Sequence, residues 1–274
     1  MNVGHIAYTN AWPITFGFPP AGWEERVRLL SAKPNELNAL LADGSIDAAS
    51  VSSFAYARHA DDLLLLPDLS VSAAGEVRSI LLFAKEPFSQ KLPSRIALTN
   101  ASATSIHLLK MMMFFRYDHQ PEYITMHPRL DEMMASCDAA LLIGDDAIRS
   151  GWENHGYYVY DLGALWREWT GIGMTFAVWT VRKSWAEAHP DELMEICEAL
   201  IASKNEGLRL PEAMLEKAVT QIGGTRSFWR TYFGGLTYDF GEEQMKGLRL
   251  YLEYAHKMGF LHNVPPLHVW RYPK

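Results

Sequence analysis

From Leu98 to His107 the chain reads Leu-Thr-Asn-Ala-Ser-Ala-Thr-Ser-Ile-His. An apolar run ends there, small hydroxyl and amide side chains follow, and a helical pattern begins. The first N–H groups of a helix have no partner inside it and sit at the positive end of its dipole, so such a junction suits a carboxylate. Thr99, Asn100, Ala101, Ser102 and Thr104 are therefore candidate anion-binding residues. The same residue types serve plain N-caps, but five small polar residues within the seven positions 99–105 exceed what one cap requires. Similar junctions occur at Ser52-Ser53-Phe54 and at Ile143-Gly144-Asp145-Asp146. Gly144 would let a ligand approach the backbone closely, and Asp145 reads equally as a ligand contact or an N-cap. Asn10, before Trp12-Pro13, both donates and accepts hydrogen bonds, although such an asparagine also serves simply as a turn residue.

Other chemistries lack their signatures. The ten histidines include no H-E-x-x-H spacing, and there is no G-x-S-x-G, P-loop or G-x-G-x-x-G. The two cysteines, Cys137 and Cys197, form neither a metal-type nor a redox-type pair. Cys197 shares a helical stripe with Leu193, Ile196, Leu200 and Ile201, which reads as core. A net charge of −7 argues against nucleic-acid and anionic-membrane partners. No secretory pattern opens the sequence and no run of about eighteen apolar residues occurs, so a cytoplasmic protein is expected.

These junctions must be positioned by alternating strands and helices, the pattern of an α/β protein. Strands are expected near 3–8, 26–30, 46–51, 77–84, 95–98, 122–125, 138–143, 157–161 and 175–182. Helices are expected near 12–17, 34–42, 53–58, 103–116, 129–136, 145–150, 163–170 and 184–205, with another over 241–258. Pro34 suits a first helical turn and Asp43-Gly44 a helix end. Ser184 and Glu187 have capping-box spacing, and Pro190 restarts or kinks the helix they begin. Two crossings, after strand 79–83 and after strand 176–181, would enclose 85–179 as an inserted lobe. Residues 1–84 and 180–274 would build the other, with the ligand cleft between them.

Gly4-His5-Ile6-Ala7-Tyr8-Thr9-Asn10-Ala11-Trp12-Pro13 resembles the opening G-x-I-x-Y-x-N-x-x-P of the chorismate dehydratases of menaquinone synthesis by the futalosine route. Segments similar to the same family follow in order at Gly44–Ala48 with Ser52-Ser53, Leu66–Ser70, Val77–Phe83, Thr99–Ser105, Ala140–Ala147 and Asp161–Gly171. The match runs from residue 3 to about 205. Thr9 departs from it, since leucine is common there, and is expected to change packing near Asn10 without removing the site.

The resemblance implies a two-lobed type II periplasmic-binding-protein-like fold used as an enzyme. It implies chorismate, a small dicarboxylate, as substrate and 3-[(1-carboxyvinyl)oxy]benzoate as product, with no metal or redox cofactor. Asn10 and Ser79 would hydrogen-bond the reacting face or departing hydroxyl, with Ile80 beside them. The helix start at 100–105 and backbone near Gly144 would hold carboxylates. The substrate's own enolpyruvyl carboxylate would take the proton, with Asp145 the protein base otherwise available. A sister dihydroxynaphthoate synthase would use a cleft histidine, and none stands near 140–150. A solute-binding protein is the remaining alternative.

Overall fold

Ala-Ala-Ser-Val-Ser at 48–52, Ile-Leu-Leu-Phe-Ala at 80–84 and Ala-Ala-Leu-Leu-Ile at 139–143 are buried along their whole length. Runs that short, without polar alternation, become strands covered on both faces. The computed structural model describes residues 1–272. Its strands are β1 (Asn2–Ile6), β2 (Arg28–Ala32), β3 (Ala48–Ser52), β4 (Leu63–Ala73), β5 (Ile80–Ala84), β6 (Arg95–Thr99), β7 (Glu122–Met126), β8 (Ala139–Ile143), β9 (Tyr158–Asp161) and β10 (Met174–Arg182). They form two five-stranded sheets, ordered β2-β1-β3-β10-β4 and β7-β6-β8-β5-β9. Each has a parallel set on one side and antiparallel pairing around β10 or β5 on the other.

The helices are α1 (Trp12–Thr15), α2 (Pro34–Ala42), α3 (Ser53–Arg58), α4 (Ala103–Phe115), α5 (Leu130–Ser136), α6 (Gly144–Trp152), α7 (Leu162–Thr170), α8 (Lys183–Ala188), α9 (Pro190–Gly207), α10 (Glu212–Ile222), α11 (Arg226–Gly235) and α12 (Glu242–Lys257). Pro34 opens α2, and Gly44, at φ +83°, follows its C-cap Asp43. Cys197 is buried in α9. The long helix expected over 184–205 is two, with His189 non-helical between them and Pro190 opening the second. Ser184 lies inside α8 and does not cap it: Arg182 holds the N-cap position without a side-chain bond.

The crossings differ from expectation by a strand each. All of β5 pairs with β8 or β9, from Ile80↔Ile143 to Ala84↔Ala139 and Ala84↔Tyr158, so it belongs to the second sheet. β10 pairs with β3 and β4, so it belongs to the first. The chain therefore passes between sheets before residue 80 and before residue 174, rather than after 84 and 179. An apolar run shows that a strand is buried but not which neighbours complete its ladder. Strand β4 was not expected at all, because Pro67 and Asp68 interrupt it, the latter at φ +58°. It lies at the sheet edge, where proline costs no ladder bond. Lys204, buried in α9, holds the Asp68 carbonyl at 2.9 Å, its carboxylate at 2.7 Å and Asp239 at 2.6 Å.

Two helices from the C-terminal part fix the ends of the site. α12 packs on β10, α3 and α4. α9 packs on α1, the segment that follows Asn10, and a Cβ at Gly207 would overlap the Pro13 carbonyl. Backbone overlap of this kind costs about 1–3 kcal/mol and outweighs the better helix propensity of alanine, about 1 kcal/mol. Gly207→Ala is therefore expected to lower stability by about 2 kcal/mol, read as a reduced urea midpoint at unchanged slope.

Candidate active site

The first side of the site comes from the segment after β1. Thr9–Ala11 forms a 3-10 turn, closed by the Ala11 N–H on the Tyr8 carbonyl at 3.1 Å. The turn places Asn10 at the cleft with its Oδ1 buried and, among the described residues, without a hydrogen-bond partner. A buried acceptor left open is unfavourable unless something fills it. Tyr8 stands beside it; burial, with Asp146 and Asp145 nearby, pushes its phenol up to about 12. It stays a neutral donor at neutral pH.

The second side is the turn that enters β5. Asp161, at the N-cap of α7, accepts the Val77 N–H at 3.1 Å, the Arg78 N–H at 2.6 Å and the Ala164 N–H at 3.0 Å. Burial raises its carboxyl pKa, against the lowering effect of those backbone donors. Arg78 is left-handed at φ +59°, a conformation that needs outside support for a residue with a Cβ. Ser79 follows it at once, 1% exposed, with Oγ donating to the Val77 carbonyl at a long 3.3 Å.

α6 and α4 close the cleft. Gly144 is at φ +61°, and a Cβ there would lie 2.6 Å from the Tyr8 ring, so only glycine lets Tyr8 rest on this backbone. Its N–H donates to the Ser79 carbonyl at 2.7 Å. It therefore supplies space for Tyr8 and fixes Ser79. Ser102 caps α4, its Oγ accepting the Ser105 N–H at 3.3 Å and meeting the Ser105 hydroxyl at 3.1 Å.

Of the expected residues, Asn10, Ser52, Ser79, Ile80, Ser102 and Gly144 meet around one small cleft. The others do not line it. Ser53 donates Oγ to the Thr175 carbonyl at 2.7 Å, and Thr104 Oγ1 accepts the Phe54 N–H at 2.9 Å, tying α3 to α4. Thr99 accepts the Ala101 N–H at 3.2 Å, Ala101 is buried behind it, and Asn100 is exposed. Asp145 accepts the Thr9 N–H at 3.2 Å and the Thr9 hydroxyl at 2.6 Å through one oxygen. Thr9 thus does more than alter packing: it joins the first-sheet segment to α6. Burial raises the Asp145 pKa, against the Thr9 hydrogen bonds and Arg149.

Tyr8, Ser105, Phe176 and Ala177 line the cleft without having been selected from sequence. Tyr8 and Ser105 sit inside the motifs already noted, whereas Phe176 and Ala177 read only as buried strand. None of the described lining residues is charged. A wider groove, bordered by Asn38, His59, Asp62, Arg182 and Lys183, shares no residue with this cleft and is built without the second sheet.

A family model described as menaquinone biosynthesis matches residues 1–257. A chorismate dehydratase of Thermus thermophilus is 33% identical over 244 residues, 84% of this chain and 87% of that protein. The chain belongs to this menaquinone-biosynthesis family. Its fold is that of the periplasmic binding proteins. The aliphatic sulphonate binding protein SsuA of Escherichia coli aligns at TM-score 0.71 and 14% identity, covering 100% of this chain and 92% of its own. A protein from Archaeoglobus fulgidus aligns at TM-score 0.71 and 18% identity, over 95% of this chain and 98% of its own.

The Thr9–Asp145 contact carries a pH signature. A carboxyl whose pKa is higher folded than unfolded binds more protons in the folded state, so wild type loses stability as pH rises from 3.8 through the raised value. Asparagine keeps an acceptor for Thr9 and does not titrate. The thermal midpoint of Asp145→Asn minus that of wild type is expected to climb across this window and level off above it; a flat or falling difference would contradict the direction.

Proposed function

We propose that this chain is a cytoplasmic chorismate dehydratase, a hydro-lyase that converts chorismate to 3-[(1-carboxyvinyl)oxy]benzoate and water. The observation that carries the reading is the pairing of Asn10, with its open buried acceptor, and Ser79 at one neutral cleft in a member of the menaquinone-biosynthesis family.

The substrate brings two carboxylates and the cleft brings neutral donors. The Ser102 and Ser105 hydroxyls at the start of α4, with the positive end of that helix, hold one carboxylate. Phe176, Ile80 and Ile143 give the ring an apolar bed. In the reaction, the C–H bond at the ether-bearing ring carbon breaks and its electron pair becomes a ring double bond. The neighbouring C–O bond breaks with it, and hydroxide leaves. The enolpyruvyl carboxylate takes the proton, which ends on the hydroxide as water, so atoms and charge balance without an added reactant. Aromatisation supplies the driving force.

The protein then has two tasks: to hold the carboxylate against the C–H bond, and to stabilise negative charge on the departing oxygen. Asn10 serves the first, its side-chain N–H donating to the enolpyruvyl arm while the open Oδ1 accepts from the substrate hydroxyl. Ser79 serves the second, its O–H turning from the long Val77 contact to the leaving hydroxyl. Asp145 is spent on Thr9, which favours the substrate carboxylate as base.

Purified protein incubated with chorismate and no added cofactor is expected to yield a product lighter by one water with a benzoate ultraviolet spectrum. Asn10→Asp and Ser79→Ala are each expected to lower kcat by about 10²–10³. Unchanged chorismate from folded protein would sink the assignment, and wild-type rates in both variants would sink the two roles.

A further inference from the structure

The cleft around Asn10 and Ser79 encloses about 40 Å³, room for a few water molecules. Pockets that take small-molecule ligands measure roughly 300–1,000 Å³. A ligand of ordinary size therefore enters only if the two lobes part. The contacts that join the lobes fall into two unequal groups.

One group is buried and lies against the two segments where the chain passes between sheets. Gly163 of α7 and Gly247 of α12 sit so close to the Gly75 and Gly173 carbonyls that a Cβ would overlap them. α4 packs on both helices. There Thr104 Oγ1 accepts the Phe54 N–H at 2.9 Å, and the Thr104 carbonyl accepts the Tyr251 hydroxyl at 3.1 Å. Phe54, Thr104 and Tyr251 are all buried. Displacement is smallest close to a hinge, so this side is the pivot.

The other group sits on one stripe of α6, at Asp145, Arg149 and Trp152, the spacing i, i+4, i+7. α6 packs on β8 and β5 and so belongs to the second lobe, yet each residue of the stripe reaches the first. Asp145 holds Thr9. Arg149 donates to the Gln221 carbonyl at 3.3 Å and the Ile222 carbonyl at 3.4 Å. These belong to the last turn of α10, where open carbonyls and the helix dipole favour a cation. The Trp152 ring meets Phe228 and Trp229 of α11 edge to face, at 5.0 and 6.1 Å. A Cβ at Gly224, between α10 and α11, would stand 2.7 Å from that ring. The α10–α11 hairpin is in turn fixed to the first lobe. Lys217 of α10 lies 4.5 Å over the Trp12 ring, and Thr237, past α11, exchanges both backbone hydrogen bonds with Ser72 of β4 at 2.8 Å. Arg149 and Trp152 are 44% and 39% exposed, so their contacts break and reform without opening a core.

We propose that the α6 stripe is the latch of the cleft: Arg149 and Trp152, with the Asp145–Thr9 bond, release the first lobe to admit ligand and re-engage it to shut the cleft. Arg149 and Trp152 do not line the cleft. They set the fraction of the protein that is closed. A ligand enclosed by both lobes binds the closed form, so its apparent dissociation constant rises as that fraction falls.

The test compares Arg149→Gln and Trp152→Ala with wild type, first without ligand by small-angle X-ray scattering. Both variants are expected to show a larger radius of gyration. Arg149→Gln alters an exposed side chain, so it tests the latch even where Trp152→Ala lowers the thermal midpoint. The kinetic arm rests on the dehydratase reading: with chorismate, KM is expected to rise about tenfold at unchanged kcat. Arg95→Gln is the control, a comparably exposed arginine whose partner Glu122 lies in the same sheet. It is expected to keep the wild-type radius and KM. A wild-type radius in both latch variants overturns the proposal. So does a lowered kcat at wild-type KM, the mark of a residue acting on the chemistry, or an equal change in Arg95→Gln. Chorismate left unchanged by wild type overturns the dehydratase reading instead, and the scattering comparison still decides the latch.

Discussion

One buried carboxylate holds the second side of the site in place. Asp161 gathers the N–H groups of Val77, Arg78 and Ala164, so it fastens the turn between the sheets to the start of α7. Placing a carboxylate out of water is unfavourable, and its raised pKa records that. The backbone donors offset the loss because each makes a charge-assisted bond. They also hold Arg78 in a left-handed conformation that it would otherwise leave. Ser79 is the next residue, so its direction is set by this knot. Gly144 secures the same residue from the other side by donating to the Ser79 carbonyl. Gly163 belongs to the arrangement too, since a side chain there would overlap the Gly75 carbonyl.

The second consequence concerns charge. The cleft is lined by hydroxyls, an amide, a phenol and apolar side chains, with no charged group among its described residues. A dianion held only by neutral donors keeps its own carboxylates basic, because no cation lowers their pKa. A guanidinium clamp would bind the same molecule more tightly while weakening the base proposed for the reaction. In that proposal the uncharged wall and the substrate-borne base are two sides of one design. Asp145, the residue after Gly144 of the cleft wall, is engaged by Thr9.

Much of this could be read from the chain, and the limits have physical causes. Two boundaries with a local chemical reason held, since Pro34 opens α2 and Gly44 follows its end, whereas Ser184 does not cap α8. The junctions that offered small polar residues did converge, giving Asn10, Ser52, Ser79, Ser102 and Gly144 around one cleft. What was hidden is where each polar group spends its hydrogen bonds. Ser53 bonds to Thr175, Thr104 to Phe54 and Asp145 to Thr9. These partners lie far apart in sequence, and no local pattern announces them. Strand β4 was hidden for the opposite reason: its local signals, Pro67 and Asp68, argue against a strand, and only its place at the sheet edge and the buried Lys204 make it one.

The fold is shared with SsuA, and a fold does not decide between binding and chemistry. The difference must lie in what the cleft does to its ligand. A receptor gains by satisfying every group of the bound molecule equally, which leaves reactivity where it was. In this cleft hydrogen-bonding groups are left short: Asn10 Oδ1 has no partner and the Ser79 O–H makes only a long bond. Each is held in place by neighbours that do not use its hydrogen-bonding capacity. Donors and acceptors kept open in a buried, uncharged cleft cost stability in the free protein. In the proposed reaction the Ser79 O–H would recover part of that cost where charge develops on a departing oxygen, a pattern that fits an enzyme better than a receptor.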